Sequence, residues 1–355
     1  MNKIIYFFFF FLIFSCKSSS PPPLPHEIKR PLSVWELEIK NLIDNKLSES
    51  TRLIVQKMTA YNIITSSHIS YSAIPSEQWK NFEELKKQAS SEELILLMDY
   101  PNSSVKGYTF LCLLERKELD VYPILKKHYY DTNLVTMQEG CIIYRDRIGN
   151  FFVENSIASK RIKENEVDSL KKIALYDKKY QMSYKNELLI QIEPNETDYE
   201  RIREIAIVER NPIAVLALSK YKQDQDKELI KSLINNEQTR YFGIRCVIHF
   251  PDTEFFPLLE SYHDEEIKKR TDFSYTTYRV LYKAIVQYQN QESIYLLKKT
   301  LTKATNSASE YHKKYIWIAL TKYPNSIYNE IFNQLDAEIK QDSLSELYLQ
   351  EIEID

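Results

Sequence analysis

Apolar and polar residues alternate along most of this chain with the three-and-four spacing of amphipathic helices. The first such run opens at Leu32-Ser33-Val34-Trp35-Glu36-Leu37. Ser33 and Glu36 stand in the relation of a capping box, with Leu32 placed to staple onto Leu37, and the spacing predicts a helix to about Leu47. The same signature recurs at Ser90/Glu93, Thr197/Glu200 and Ser343/Glu346, each ahead of an apolar periodic run.

Four stretches of the C-terminal half align with one another: AVLALSKYKQDQDKELIKSLI from Ala214, FGIRCVIHFPDTEFFPLLESY from Phe242, VLYKAIVQYQNQESIYLLKKTL from Val280 and YIWIALTKYPNSIYNEIFNQL from Tyr315. Each is an apolar run ending in an aromatic residue, a polar turn, then a second run closing on aliphatic pairs. The aromatic hinges Tyr221, Phe250, Tyr288 and Tyr323 are 29, 38 and 35 residues apart, a period of one helical hairpin per repeat. Asp224, Asp252, Asn290 and Asn325 follow the hinges, where a capping side chain is wanted, and Pro251 and Pro324 stop the first helix. A segment from Ser103, SSVKGYTFLCLLERKELDVYPILKKHY, fits the same plan after the turn Asp99-Tyr100-Pro101-Asn102.

The stretch between these blocks reads differently. Thr136–Ser156 holds two of the chain's four glycines, and its apolar run Cys141–Tyr144 suits either a short strand or a helical turn. Helices are expected to resume over Glu166–Tyr176 and Lys185–Ile192, with Pro194-Asn195 resetting the chain. Only 4 glycines in 355 residues exclude the clustered-glycine loops of dinucleotide and P-loop folds and make an all-β sandwich hard to build.

At these residues the chain resembles HEAT-type α-repeats. Tyr100-Pro101-Asn102-Ser103-Ser104-Val105-Lys106 is similar to that family's turn into a first helix, and Phe255-Phe256-Pro257-Leu258-Leu259 to its second helix. The resemblance covers Glu92–Asp131 and Tyr199–Ala337. It departs from the family where small alanines give way to large aromatics, as in Tyr315-Ile316-Trp317, and tetratricopeptide-like hairpins remain an alternative. It implies a right-handed stack with a shallow groove that binds other proteins and seldom catalyses. The expected fold is therefore all-α, an α-solenoid of stacked hairpins with a short irregular segment near the middle.

The N-terminus has a different character. Asn2 and Lys3 precede an unbroken apolar run, Ile4–Phe14, of about eleven residues, too short to span a bilayer and suited to a signal-peptide core. Ile13-Phe14-Ser15-Cys16 resembles the bacterial lipoprotein signal, although Phe14 is bulkier than that pattern prefers. The resemblance implies cleavage before Cys16 and acylation, as by palmitate, of its thiol and new amino group. Lys17–Pro25, rich in serine and proline, reads as a solvated tether. Lys17 and the serines after it lack the acidic residues that mark surface export in some bacterial lipoproteins, so the resemblance implies the periplasmic face, with the outer membrane as the expected location. The expected organisation is a signal peptide over 1–15, a lipidated tether over 16–32, an N-terminal helical region with a HEAT-like hairpin over 33–135, a connecting segment over 136–198 and a repeat block over 199–355.

Charge narrows the partners. With 47 Lys and Arg against 50 Asp and Glu, the net charge of −3 argues against nucleic acid as the partner. Lys268-Lys269-Arg270 is a short basic run of little weight against it. Once Cys16 is acylated, Cys112, Cys141 and Cys246 allow at most one disulfide, and apolar settings mark Cys112 and Cys246 as buried thiols. The six histidines, His26, His68, His128, His249, His263 and His312, form no pair at helical ligand spacing, so no metal or other cofactor is expected. His249 is read as a helix-end cation.

No GxSxG elbow occurs. The carboxylate runs Glu83-Glu84, Asp264-Glu265-Glu266 and Glu351–Asp355 read as solvated faces. Trp35, Trp79 and Trp317 lie in apolar helical patterns, where core packing is favoured over sugar stacking. The expected function is a non-catalytic scaffold, membrane-bound through Cys16 and binding another envelope protein. The alternatives are a hydrolase acting on peptidoglycan or another glycan, or a glycan-capturing module, whose site assembles only in three dimensions.

Overall fold

The computed structural model describes residues 31–180, 182–268, 274–303 and 308–339. Cys16 and the leader, His26, the Ser343/Glu346 pair and Glu351–Asp355 lie outside the described residues. The chain divides into two compact units between Asp168 and Ser169. That boundary, inside one helix, matches neither 135/136 nor 198/199.

The first unit begins with α1 (Val34–Asp44) and α2 (Glu49–Met58), then β1 (Ile63–Ile69) and β2 (Ile74–Pro75). There follow α3 (Glu77–Gln88), α4 (Ser91–Leu97), α5 (Ser103–Glu115) and α6 (Tyr122–His128), then β3 (Leu134–Gly140), β4 (Ile142–Arg147) and α7 (Ile148–Ala158). The boundary falls in α8 (Glu164–Tyr176). The capping boxes at Ser33/Glu36 and Ser90/Glu93 form as the spacing predicts.

The fold is mostly helical, as expected, with one small sheet added in this unit. Its strands lie in the order β2-β1-β3-β4, in which β1 and β3 are parallel and the outer pairs antiparallel. Parallel neighbours need a long crossover, and α3 to α6 supply it. The ambiguous run Cys141–Tyr144 is thus largely strand, and the segment expected to be irregular contains a hairpin and α7. Gly140, at φ +57°, starts the two-residue turn Gly140-Cys141 between the paired residues Glu139 and Ile142. Helices α3, α5 and α7 pack in succession, each with its own partner, α2, α4 or α6, and the sheet lies against α3, α5 and α7. Gly107 lets α5 close onto Ile64 of β1 and Ile148 of α7, and Tyr108 Oη accepts the Thr65 N–H at 2.7 Å.

The second unit is helical throughout its described residues: α9 (Tyr184–Gln191), α10 (Glu196–Val208), α11 (Pro212–Ser219), α12 (Lys227–Asn235), α13 (Arg240–His249), α14 (Phe256–Glu266), α15 (Tyr275–Ile285), α16 (Gln291–Lys303), α17 (Ala308–Lys322) and α18 (Asn329–Ile339). Helices α9, α11, α13, α15 and α17 each pack on the next, while α10, α12, α14, α16 and α18 pair with members of that row. The apolar α11 and the aromatic-rich α15 and α17 lie in this inner row, and their burial follows from having helices on several sides.

The turns within hairpins recur in detail. Single 3₁₀ turns, Asp224–Asp226, Thr253–Phe255 and Ser326–Tyr328, lead into α12, α14 and α18, and each buries its third residue. Asp252, Asn290 and Asn325 cap the following turn as expected, accepting the N–H of Glu254, Ser293 and Ile327. Asp224 instead pairs with Lys227. The Thr197/Glu200 box does not set the start of α10, because Asn195 caps it first, accepting the Asp198 N–H at 2.9 Å.

Tyrosine hydroxyls tie one turn to the next: Tyr288 Oη donates to Asp252 O at 2.8 Å, and the buried Tyr328 Oη meets Gln289 N, Ser293 Oγ and Val286 O. Lys227 and Lys231 on α12 reach Asp252 and Glu254 before α14, and Lys298 on α16 reaches Glu330 on α18. Exposed pairs of this kind contribute only about 0–1 kcal/mol each, so burial and the tyrosine hydroxyls carry more of the stacking.

Candidate functional site

Two surfaces stand out, one in each unit. In the first, β4 is the last strand of the sheet, paired only with β3 within it. Ile148 N donates to Asn133 O at 2.9 Å, which fixes the phase of the ladder. Alternate residues Ile142 and Tyr144 turn their backbone groups to β3, and Ile143 turns its own towards the edge. Edge strands are commonly short, charged or covered; here Ile142, Ile143 and Tyr144 are 42%, 46% and 40% exposed in succession. Tyr144 Oη donates to Glu139 Oε1 at 3.2 Å across the hairpin. The arrangement suits addition of an extended peptide strand.

In the second unit, a hollow of about 350 Å³ opens where α10 begins and α11 ends, lined by Pro194, Asn195, Glu196, Tyr199, Tyr221 and Gln223. The two tyrosine rings lie 5.1 Å apart and tilted by 55°. Tyr199 Oη donates to Asp226 Oδ2 at 2.8 Å and accepts from Gln225 Nε2 at 2.7 Å. Asp226 is buried and held in turn by Arg203 Nε at 3.1 Å. Tyr221 Oη accepts the Asn195 N–H at 3.2 Å. Burial and the neighbouring Asp226 push the Tyr199 hydroxyl up to about 12, so it stays a neutral donor. Both rings are oriented by their hydroxyls, beside the amide groups of Asn195 and Gln223 and the carboxylate of Glu196. Such a mixture stacks on the apolar face of a ring and bonds its hydroxyls.

The residues singled out in the sequence are scattered. Cys112 and Cys246 are buried as expected, with burial pushing each thiol up to about 12, while Cys141 is exposed at the hairpin turn. Trp317 is buried and donates Nε1–H to Asp336 at 3.1 Å, and Trp79 packs edge-on against Phe82. Trp35 departs from the core expectation, being 68% exposed. His68 is exposed, His249 is the last residue of α13, and His128, His263 and His312 are buried. Among the described residues, no three His, Cys, Asp or Glu side chains gather as metal ligands.

Glu83 and Glu84 pair with Lys86 and Lys57 near the surface. The 264–266 run does not behave as a solvated face: Asp264 binds Lys299 at 2.6 Å and Glu266 is 1% exposed. The run is helical, and Glu266 falls on the same side of α14 as the buried Tyr262 and His263. Of Lys268-Lys269-Arg270, only Lys268 is described. Sequence reasoning missed Asp226 and the tyrosine pair it helps to set. The signal was present in the register of the repeats, since Asp226 occupies the buried third position of the 3₁₀ turn held elsewhere by Phe255 and Tyr328.

No protein-family model matches the chain, and comparison with curated proteins and with solved structures returned no match.

Proposed function

We propose that this chain is a non-catalytic binding scaffold of the bacterial envelope, an α-solenoid of HEAT-like hairpins held at the outer membrane, facing the periplasm, by acyl chains on Cys16. The lipobox-like Ile13–Cys16 and the serine-proline tether support the anchor. The successive packing of α9, α11, α13, α15 and α17, with their partner helices, supports the solenoid. The observation that carries the binding role is the apolar edge strand β4, whose Ile142, Ile143 and Tyr144 suit a protein partner that adds a strand.

Affinity purification of the tagged protein from gently solubilised envelopes tests this. A reproducible partner is expected, and Ile143→Glu should lower its recovery about tenfold or more, as for a central interface residue, with an unchanged circular dichroism spectrum. Recovery as a partner-free monomer, or with a partner indifferent to Ile143→Glu, counts against the reading.

The tyrosine hollow favours a second reading, capture of a glycan. Soluble peptidoglycan fragments are then expected to bind the wild-type chain, and Tyr199→Ala to weaken that binding about tenfold or more, the effect of losing one stacking ring from a small site. Equal binding by both chains, or none by either, removes this reading.

A further inference from the structure

Helix α1 carries its apolar surface on the outside. Val34 (75%), Trp35 (68%), Leu37 (46%) and Leu42 (60%) are all exposed, while Ile43 and Asp44, outside the arc they span, are buried. At 100° per residue, Leu37, Val34, Leu42 and Trp35 fall within an arc of roughly 160°, shared with Glu38 and Asn41. Three of the four sit in the first turn, so the apolar surface is densest at the helix start. That start is fixed by the Ser33/Glu36 capping box, with Glu36 Oε2 accepting the Ser33 N–H at 2.8 Å. Its donors are thereby partly satisfied within the chain, which reduces the cost of leaving water.

We propose that the first turn of α1, with Leu42, inserts into the interfacial layer of a lipid bilayer. Trp35 sits at the headgroup boundary, and Glu38 and Asn41 stay among the headgroups because the helix enters obliquely. The inference rests on the anchored reading above for its geometry. Ser33 follows Cys16 by 17 residues, and a chain of that length reaches at most about 60 Å when fully extended. Acylation of Cys16 therefore confines α1 to the neighbourhood of the bilayer, so a weak interfacial helix is populated without a strong affinity of its own. Lys29 and Arg30, just ahead of the helix in the sequence, supply cations for anionic headgroups. A tryptophan beside aliphatic residues at the membrane-proximal end of a domain is the composition that interfacial helices use.

The test reconstitutes the full chain into vesicles of phosphatidylethanolamine and phosphatidylglycerol, with ordinary or brominated acyl chains, and reads tryptophan emission. Trp35→Phe gives the background of the half-buried Trp79 and the buried Trp317, so the difference reports Trp35 alone. Brominated lipid is expected to quench that difference signal, and Leu42→Glu to reduce the quenching severalfold while the chain still floats with the vesicles. Co-flotation without quenching of Trp35 overturns the insertion of α1 and leaves the anchor standing. Failure of the wild-type chain to float overturns both. Quenching that persists when palmitate fails to label Cys16 overturns the anchor alone. Self-association in detergent-free buffer that Leu42→Glu abolishes, with no quenching in vesicles, assigns the surface to a second copy and overturns the proposal.

Discussion

Acidifying the protein from about pH 6.5 to pH 4 is expected to remove on the order of 3 kcal/mol of unfolding free energy through His312 alone, with the part lost above about pH 5 appearing before the carboxylates titrate. His312 is 2% exposed on α17. Its ring stacks on Tyr278 at 4.3 Å, and its Nδ1 shares a hydrogen bond of 2.7 Å with the Tyr282 hydroxyl. Burial, reinforced by the nearby His263, lowers its pKa from 6.5 to about 4. His263 is lowered in the same direction by burial, against the opposing pull of Asp264. Its Nδ1 lies 3.1 Å from Asp264 Oδ1 and its Nε2 2.6 Å from Thr300 Oγ1.

The sign follows from linkage. Below the unfolded value of about 6.5 the unfolded chain takes up a proton that the folded chain refuses, so stability falls with pH until the folded pKa is reached. The carboxylates held low by partners, Asp252 by Lys227 and Asp264 by Lys299, give up their contribution as pH falls from the ordinary carboxylate range to below it. The interval from about pH 6.5 to 5 therefore reports the histidines. Urea denaturation across that interval checks it. His312→Phe keeps the stack on Tyr278 but removes the titration, so its profile should be flatter, and lower at neutral pH by about 1 kcal/mol for the lost hydrogen bond to the Tyr282 hydroxyl. Parallel profiles for variant and wild type refute the assignment.

These buried histidines also illustrate what the sequence carries and what it does not. Signals that act within a few residues are legible: the boxes at Ser33/Glu36 and Ser90/Glu93, the caps at Asp252 and Asn325, and the hairpin period of the C-terminal half all appear in the fold. Where two such signals overlap, the sequence does not rank them, and Asn195 displaces Thr197 because it reaches a donor two residues earlier. Sheet pairing is less legible still. β1 joins β3 in parallel with Ile63 opposite Thr136, so the evidence for each strand lies some seventy residues away in the other. Gly140 alone marked the hairpin beside it. Side-chain burial at isolated positions depends on neighbours from other elements. An apolar periodic pattern makes Trp35 look like core, yet among the described residues it is exposed, and a charged run makes Glu266 look solvated until α14 turns it inward. The candidate surfaces belong to this last class. The exposure of Ile143 and the orientation of Tyr199 by Asp226 are facts of three-dimensional neighbourhood, outside the reach of spacing.

Gly243→Ala is expected to destabilise the protein by about 2 kcal/mol despite the gain of about 1 kcal/mol in helix propensity that alanine brings. A Cβ at this position in α13 would stand 2.5 Å from the Ile234 backbone nitrogen and 2.9 Å from the Leu233 carbonyl carbon, where α12 ends. The obstacle is main chain held by the helix, so relief requires moving one helix away from the other. That opens the buried contacts of Ile230, Ile234, Ile244 and Val247. Gly107 provides the contrast, because the atoms a methyl group would meet there belong to the side chains of Ile64 and Ile148. Ile64→Val is therefore expected to recover a substantial part of the loss caused by Gly107→Ala, whereas Ile234→Ala should leave Gly243→Ala unrelieved or add to it. Thermal or urea unfolding of the two double-mutant cycles decides the matter: rescue at Gly243 by shortening Ile234 would mean that α12 and α13 are spaced by side chains, not by the backbone contact inferred here.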